Sequence, residues 1–103
     1  MGTQMTNAAM IELAKQDALN RTFTFHYDPG HGWLEVTLAD INVVDLIVSA
    51  ISRYSYRKGT TFYLEEDCDA GKFIGAYRNK FNREPNIREI GDGAFIRNLP
   101  RVR

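Results

Sequence analysis

Two short stretches alternate strictly between polar and apolar residues: 22–27 (Thr-Phe-Thr-Phe-His-Tyr) and 33–38 (Trp-Leu-Glu-Val-Thr-Leu). A period of two is the mark of a half-buried strand. Phe23, Phe25 and Tyr27 share one face of the first, and Leu34, Val36 and Leu38 share one face of the second. Between them, Asp28-Pro29-Gly30-His31 reads as a type II turn, with Pro at the second position and Gly at the third, where φ must be positive. Facing Asp28 with His31 pairs Tyr27 with Gly32, Phe25 with Leu34 and Phe23 with Val36. That register collects the apolar side chains on one side.

Other stretches follow helical spacing. Residues 6–19 carry Met10, Leu13, Ala14 and Ala18 on a narrow stripe, with Thr6 or Asn7 as cap. Such a helix docks loosely or serves a partner chain. Residues 41–51 are rich in β-branched side chains, yet Ile41, Val44, Ile47, Val48 and Ile51 recur at helical intervals behind Asp40, which predicts a buried helix. Residues 68–81 read as the longest helix, with Ala70, Phe73, Tyr77 and Phe81 as its stripe, Asp67 or Asp69 as cap and Pro85 as stop.

A second hairpin is expected over 53–65 around Arg57-Lys58-Gly59. A three-residue loop with Gly59 in a left-handed bulge pairs Tyr56 with Thr60 and Tyr54 with Phe62, which separates apolar from polar side chains. Residues 87–90 and 94–99 suggest a third hairpin around Gly91-Asp92-Gly93, the second arm reading equally well as a helical turn. The sum is an α+β fold: an antiparallel sheet of four to six strands with two or three helices on one face. One domain over residues 1–103 is expected, with 1–20 as a helical extension.

Composition narrows the class. In a chain of 103 residues, 44% hydrophobic and 25% charged residues are ordinary for a globular protein. No apolar run approaches a membrane span, and the start, MGTQMTNAAM, lacks the features of a signal peptide. Cys68 is the only cysteine, so neither a disulfide framework nor a cysteine zinc site is expected, and a cytoplasmic location is the simplest reading. Net charge is zero but unevenly spread. Residues 1–52 hold two basic and six acidic residues (net −4), and residues 53–103 hold eleven basic and seven acidic residues (net +4).

The strings "HYDPGHGWLEV", "ISRYSY" and "TFYLEEDCDAG", spanning about residues 22–75, together resemble a family of small proteins encoded by phages, plasmids and integrated elements of proteobacteria. The resemblance implies an accessory protein of a mobile genetic element. Many such proteins bind and block a host factor, including defence systems. The helix at 6–19 is an addition to the family pattern.

Four clusters carry candidate chemistry. On the sheet face opposite Phe23 and Phe25, the expected register gathers His26, Asp28, His31, Trp33 and Glu35 in solvent. Two histidines with carboxylates are metal-ligand types, but a strand face splays them, so a turn with a contact patch centred on Trp33 is expected rather than a metal site. Glu66 and Asp67, within Glu65-Glu66-Asp67-Cys68-Asp69, read as an acidic helix start or docking surface, and the spacing matches no EF-hand loop. Arg53, Arg57 and Lys58, interleaved with Tyr54 and Tyr56, have the composition of a single-strand nucleic-acid surface, weakened if both tyrosines face the core. Cys68 reads as inert among its acidic neighbours. These observations predict a non-enzymatic binding protein without cofactor, acting on a host or element-encoded protein. A nucleic-acid-binding role ranks second and a metal-dependent hydrolase third. A homodimer through residues 6–19 is the remaining expectation about assembly.

Overall fold

The computed structural model describes residues 6–103. Residues 1–5 of the expected N-terminal extension lie outside them. The fold is α+β, built on a five-stranded sheet. Strands β1 (Thr22–Tyr27) and β2 (Gly32–Thr37) form the first hairpin. Thr24 faces Glu35, Phe25 faces Leu34, His26 faces Trp33 and Tyr27 faces Gly32, the register set by alternation.

The turn between them is not type II, because Gly30 does not enter the left-handed region. Asp28 holds the turn instead. Its Oδ1 accepts the amides of Gly30 (2.9 Å) and His31 (2.8 Å), while its own amide donates to the His31 carbonyl. An aspartate bonding the backbone ahead of it sets the turn without a positive φ.

Strands β3 (Tyr56–Lys58) and β4 (Thr61–Glu65) pair through a two-residue loop, not the expected three-residue bulge. Gly59 takes φ +60 and Thr60 does not follow it, the pattern of a type II′ turn. Tyr56 therefore faces Tyr63, and Arg57 faces Phe62. The reason is that this sheet has two apolar faces. Phe62 and Leu64 join one core while Tyr56 and Tyr63 join another. A one-sided pattern misassigns such a strand.

Helix α1 (Asn7–Asn20) starts at Thr6, whose side chain accepts the Ala9 amide. Its C-terminal end is the attached one. Ala18 is buried, and the Tyr77 hydroxyl donates to the Ala18 carbonyl. Met10 and Leu13 are exposed.

The expected 41–51 helix is shorter and displaced. Helix α2 covers Leu38–Val43, capped by Thr37 in a reciprocal box with Asp40. Asp45 at φ 61 ends it. The Leu46 amide reaches the Ile41 carbonyl and the Asp45 amide reaches the Asn42 carbonyl, which together make a Schellman stop. Only a short 3-10 turn at Val48–Ala50 follows.

Helix α3 (Ala70–Phe81) buries Ala70, Phe73 and Tyr77, and Asn82 in the left-handed region ends it. At 12 residues it is shorter than the 14 of α1. Because β4 and β1 run the same way, α3 acts as a crossover. It delivers β5 (Asn86–Ile90) parallel to β1, not into a third hairpin. The sheet is therefore mixed, in the order β3-β4-β2-β1-β5.

One face of the sheet packs Phe23, Leu34, Val36, Phe62 and Leu64 against Ile41, Phe73 and Tyr77 of the helices. The other face is covered by the end of the chain. A 3-10 segment, Gly93–Asn98, lays Ile96 and then Leu99 over Trp33, Tyr56 and Tyr63. Residues 100–102 then run along the outer edge of β3. The Arg57 amide donates to the Pro100 carbonyl, and the Val102 amide donates to the Ser55 carbonyl. Residues 91–103 thus form a strap across the second face. Among the described residues, no helix is long and apolar enough to cross a membrane.

Candidate functional site

The strap changes where the candidate residues sit. Trp33, expected in solvent at the centre of a contact patch, is only 2% exposed. Ile96 and Leu99 pack on it, and the Arg97 guanidinium lies 5.2 Å from its ring centroid. His26, expected in solvent, is 7% exposed. Its Nδ1 lies 2.6 Å from an Asp92 carboxylate oxygen and its Nε2 lies 2.8 Å from Glu35, with the Tyr63 and Phe95 rings edge-on. Burial, aided by the Glu35 and Asp92 charges, raises the Tyr63 hydroxyl above its ordinary range.

His31 stays exposed at the turn, its ring 6.1 Å from that of Trp33. Asp28 answers to the strap. Arg97 donates to it twice, Nε to Oδ2 at 2.6 Å and Nη2 to Oδ1 at 3.1 Å. This fork, helped by the Gly30 and His31 amides, holds the Asp28 carboxyl far below the usual carboxylate range. With His26 bound by Asp92 and Glu35 and Asp28 bound by Arg97, these side chains do not converge on a common point. Among the described residues, no group of three or more His, Cys, Asp or Glu is placed to hold a metal ion.

The acidic string divides by role. Asp69 is buried at the start of α3 but gives no cap bond to that helix. Its carboxylate instead accepts the Ser52 amide and hydroxyl, the Ser55 hydroxyl and Lys72 Nζ, tying the 51–55 segment to α3. Burial opposes its ionisation, and the Ser52, Ser55 and Lys72 hydrogen bonds outweigh that, leaving the carboxyl below its ordinary value. Glu65 accepts the Asp67 and Cys68 amides at 2.9 Å each. Glu66 and Asp67 project into solvent. Partial burial and the hydrogen-bonded Glu65 carboxylate push the exposed Cys68 thiol up, which disfavours the nucleophilic thiolate.

The basic string is more open than its pattern suggests. Tyr54 is 49% exposed, and the Arg53 guanidinium lies 5.4 Å from its ring centroid. Tyr56 is buried, with the Arg101 guanidinium 5.1 Å from its ring centroid. Arg57 covers the Phe62 ring at 4.8 Å, and Lys58 stands exposed at the hairpin tip.

These pieces meet in one cleft of about 270 Å³. His31 and Trp33 come from the first hairpin, Tyr54 and Tyr56 from the segment entering β3, and Glu65, Asp67 and Cys68 from the end of β4 and the turn after it. Arg97 and Arg101 of the strap complete the lining. The indole N–H of Trp33 is the one buried side-chain polar atom without a partner among the described residues.

Sequence reasoning missed Asp92, Arg97 and Arg101. The one available signal was the Arg-Val-Arg alternation at 101–103, too short to carry an assignment. Chemically, the cleft presents aromatic rings, guanidinium donors, carboxylate acceptors and a thiol whose pKa is pushed up. No protein-family model, no curated protein and no solved structure matches the chain.

Proposed function

We propose that this chain is a non-enzymatic binding protein and that the cleft between the hairpins and the strap is its working surface. The carrying observation is the lining: five of its nine side chains are Trp, Tyr or Arg. Those residue types supply most of the binding energy at recognition surfaces, because they offer large rigid contact area together with directed donors. The acidic side chains of the lining, Glu65 and Asp67, add acceptors, so the cleft suits a polar partner rather than a purely apolar one.

The family resemblance supplies the setting, a phage or plasmid accessory factor that modulates or inhibits a host component, a defence protein among them. With Trp33 under the strap, the Trp33 contact patch does not carry this reading. Tyr54 and Arg101 at the cleft mouth take its place.

The test is comparative capture from host extract, scoring both protein and nucleic acid retained by wild type, Tyr54→Ala, Arg101→Glu and a control, Arg88→Glu, on the far sheet edge. A component retained by wild type and control but lost by both cleft variants is expected. Equal retention of every component by all four proteins would refute the assignment.

A further inference from the structure

On the reading that the cleft is the working surface, we propose that its partner is single-stranded nucleic acid. The backbone runs along the β3–strap edge, and a base enters the cleft.

The first observation is electrostatic. Arg53, Lys58, Arg101 and Arg103 gather on this edge, with Arg57 turned to the other sheet face over Phe62, and among the described residues no carboxylate lies within 4.0 Å of any of the five. The four guanidinium groups are nonetheless held in place. Arg101 donates to the Arg53 carbonyl, Arg57 donates to the Gly59 carbonyl, and Arg103 donates to the Ile51 and Val48 carbonyls; Arg53 lies over Tyr54. Main-chain carbonyls position a guanidinium without neutralising it, and each fork keeps donors to spare. Lys58 stands at the end of strand β3, Arg53 in the turn before it and Arg101 beside it on the strap, so the charges are spread along the edge and suit more than one phosphate.

The second observation is the ring beside that row. Tyr54 is half-exposed at the cleft mouth, and an exposed aromatic next to cations is a stacking platform for an unpaired base. The third is the sign pattern within the cleft. Glu65 and Asp67 repel phosphate, which keeps the backbone on the edge, while their oxygens complement the exocyclic amino groups of bases. A duplex keeps those base edges and faces in its stack, so the surface discriminates in favour of a single strand. Because net charge is zero, the attraction is local to this edge.

The experiment is fluorescence anisotropy with end-labelled single strands of about twelve nucleotides, DNA and RNA. Binding is expected at about 50 mM salt. With roughly four phosphates contacted, affinity falls about 50-fold by ~200 mM. Arg53→Glu with Arg101→Glu weakens binding by more than tenfold and flattens the salt slope. Tyr54→Ala weakens it about tenfold with the slope unchanged, and Arg88→Glu binds as wild type. Each variant is checked by its circular dichroism melt, and Lys58→Glu, remote from the packed face, stands in if the double variant does not fold.

No anisotropy change at low salt, equal affinity for duplex, wild-type binding by the cleft variants, or displacement by polyglutamate at matched charge would each overturn the proposal. If nucleic acid fails while the capture experiment still shows a protein lost by Tyr54→Ala and Arg101→Glu, the cleft remains the working surface and only the partner class falls.

Discussion

Replacing Ile96 with alanine tests whether the strap is structural. Ile96 is fully buried against Trp33, Tyr56 and Tyr63, on the sheet face opposite the helices. Isoleucine to alanine removes three side-chain carbons, worth about 2.4 kcal/mol at ~0.8 kcal/mol each. The cavity left behind adds roughly 1 kcal/mol, because the rigid sheet under Trp33 collapses only partly. The total, about 3–4 kcal/mol, is a large share of the stability of a domain this size. At roughly 4–8 °C per kcal/mol, the melting temperature should fall by about 15–25 °C.

Trp33 is the only tryptophan, so its emission reports the same site without a label. The wild type should emit in the blue and resist acrylamide. Ile96→Ala should shift the emission to the red below the melting transition. Ile87→Ala, on exposed β5, controls for generic loss of an apolar side chain and should cost under about 1 kcal/mol. If Ile96→Ala melts within about 4 °C of wild type with unchanged emission, the strap does not seal the second face, and the cleft it walls is not a fixed feature.

Gly93→Ala probes the same strap from its hinge. A Cβ there meets the Tyr27 main chain at 2.8 Å, so the segment must lift, costing about 1–3 kcal/mol by thermal melt. Asp45→Gly should stabilise by about 0.5–1 kcal/mol in urea titration, since the Schellman position takes φ 61 and the exposed Lys80 pair lost with it contributes little. Asp69→Asn should cost about 2–4 kcal/mol at neutral pH, because Lys72 and both serines lose a buried charged acceptor. The folded Asp69 carboxyl titrates below the unfolded one, so this contribution is complete above about pH 5 and is lost as pH falls through the folded value. The gap between wild type and Asp69→Asn should therefore narrow on acidification, and a gap that is constant or widens contradicts the assignment.

The first hairpin was legible because Phe23, Phe25, Leu34 and Val36 alternate with polar residues, and only one register sorts them. The same logic failed on β3 and β4, where Tyr56 and Tyr63 look like misplaced apolar residues until the second core is known. It failed again at His26 and Trp33, since alternation says which residues share a face but not what lies on top. The cover comes from Ile96, Arg97 and Leu99, over sixty residues away, in and just after a 3-10 segment without periodicity. Helix α2 was overextended because Asp45, a residue that tolerates the left-handed region, carries no glycine's signal. The segments that line the cleft were visible as sequence; their convergence was not, because Arg97 and Arg101 join them only through tertiary contacts.

The most direct test is an NMR titration of the ¹⁵N-labelled protein with a short single-stranded oligonucleotide at low salt. Trp33 has the only indole N–H signal, and among the described residues that N–H has no acceptor. This signal is expected to shift together with the amides of Arg53, Tyr54, Lys58 and Arg101, while α1 and β5 stay still. Shifts confined to α1 and α2, or none anywhere, would contradict it.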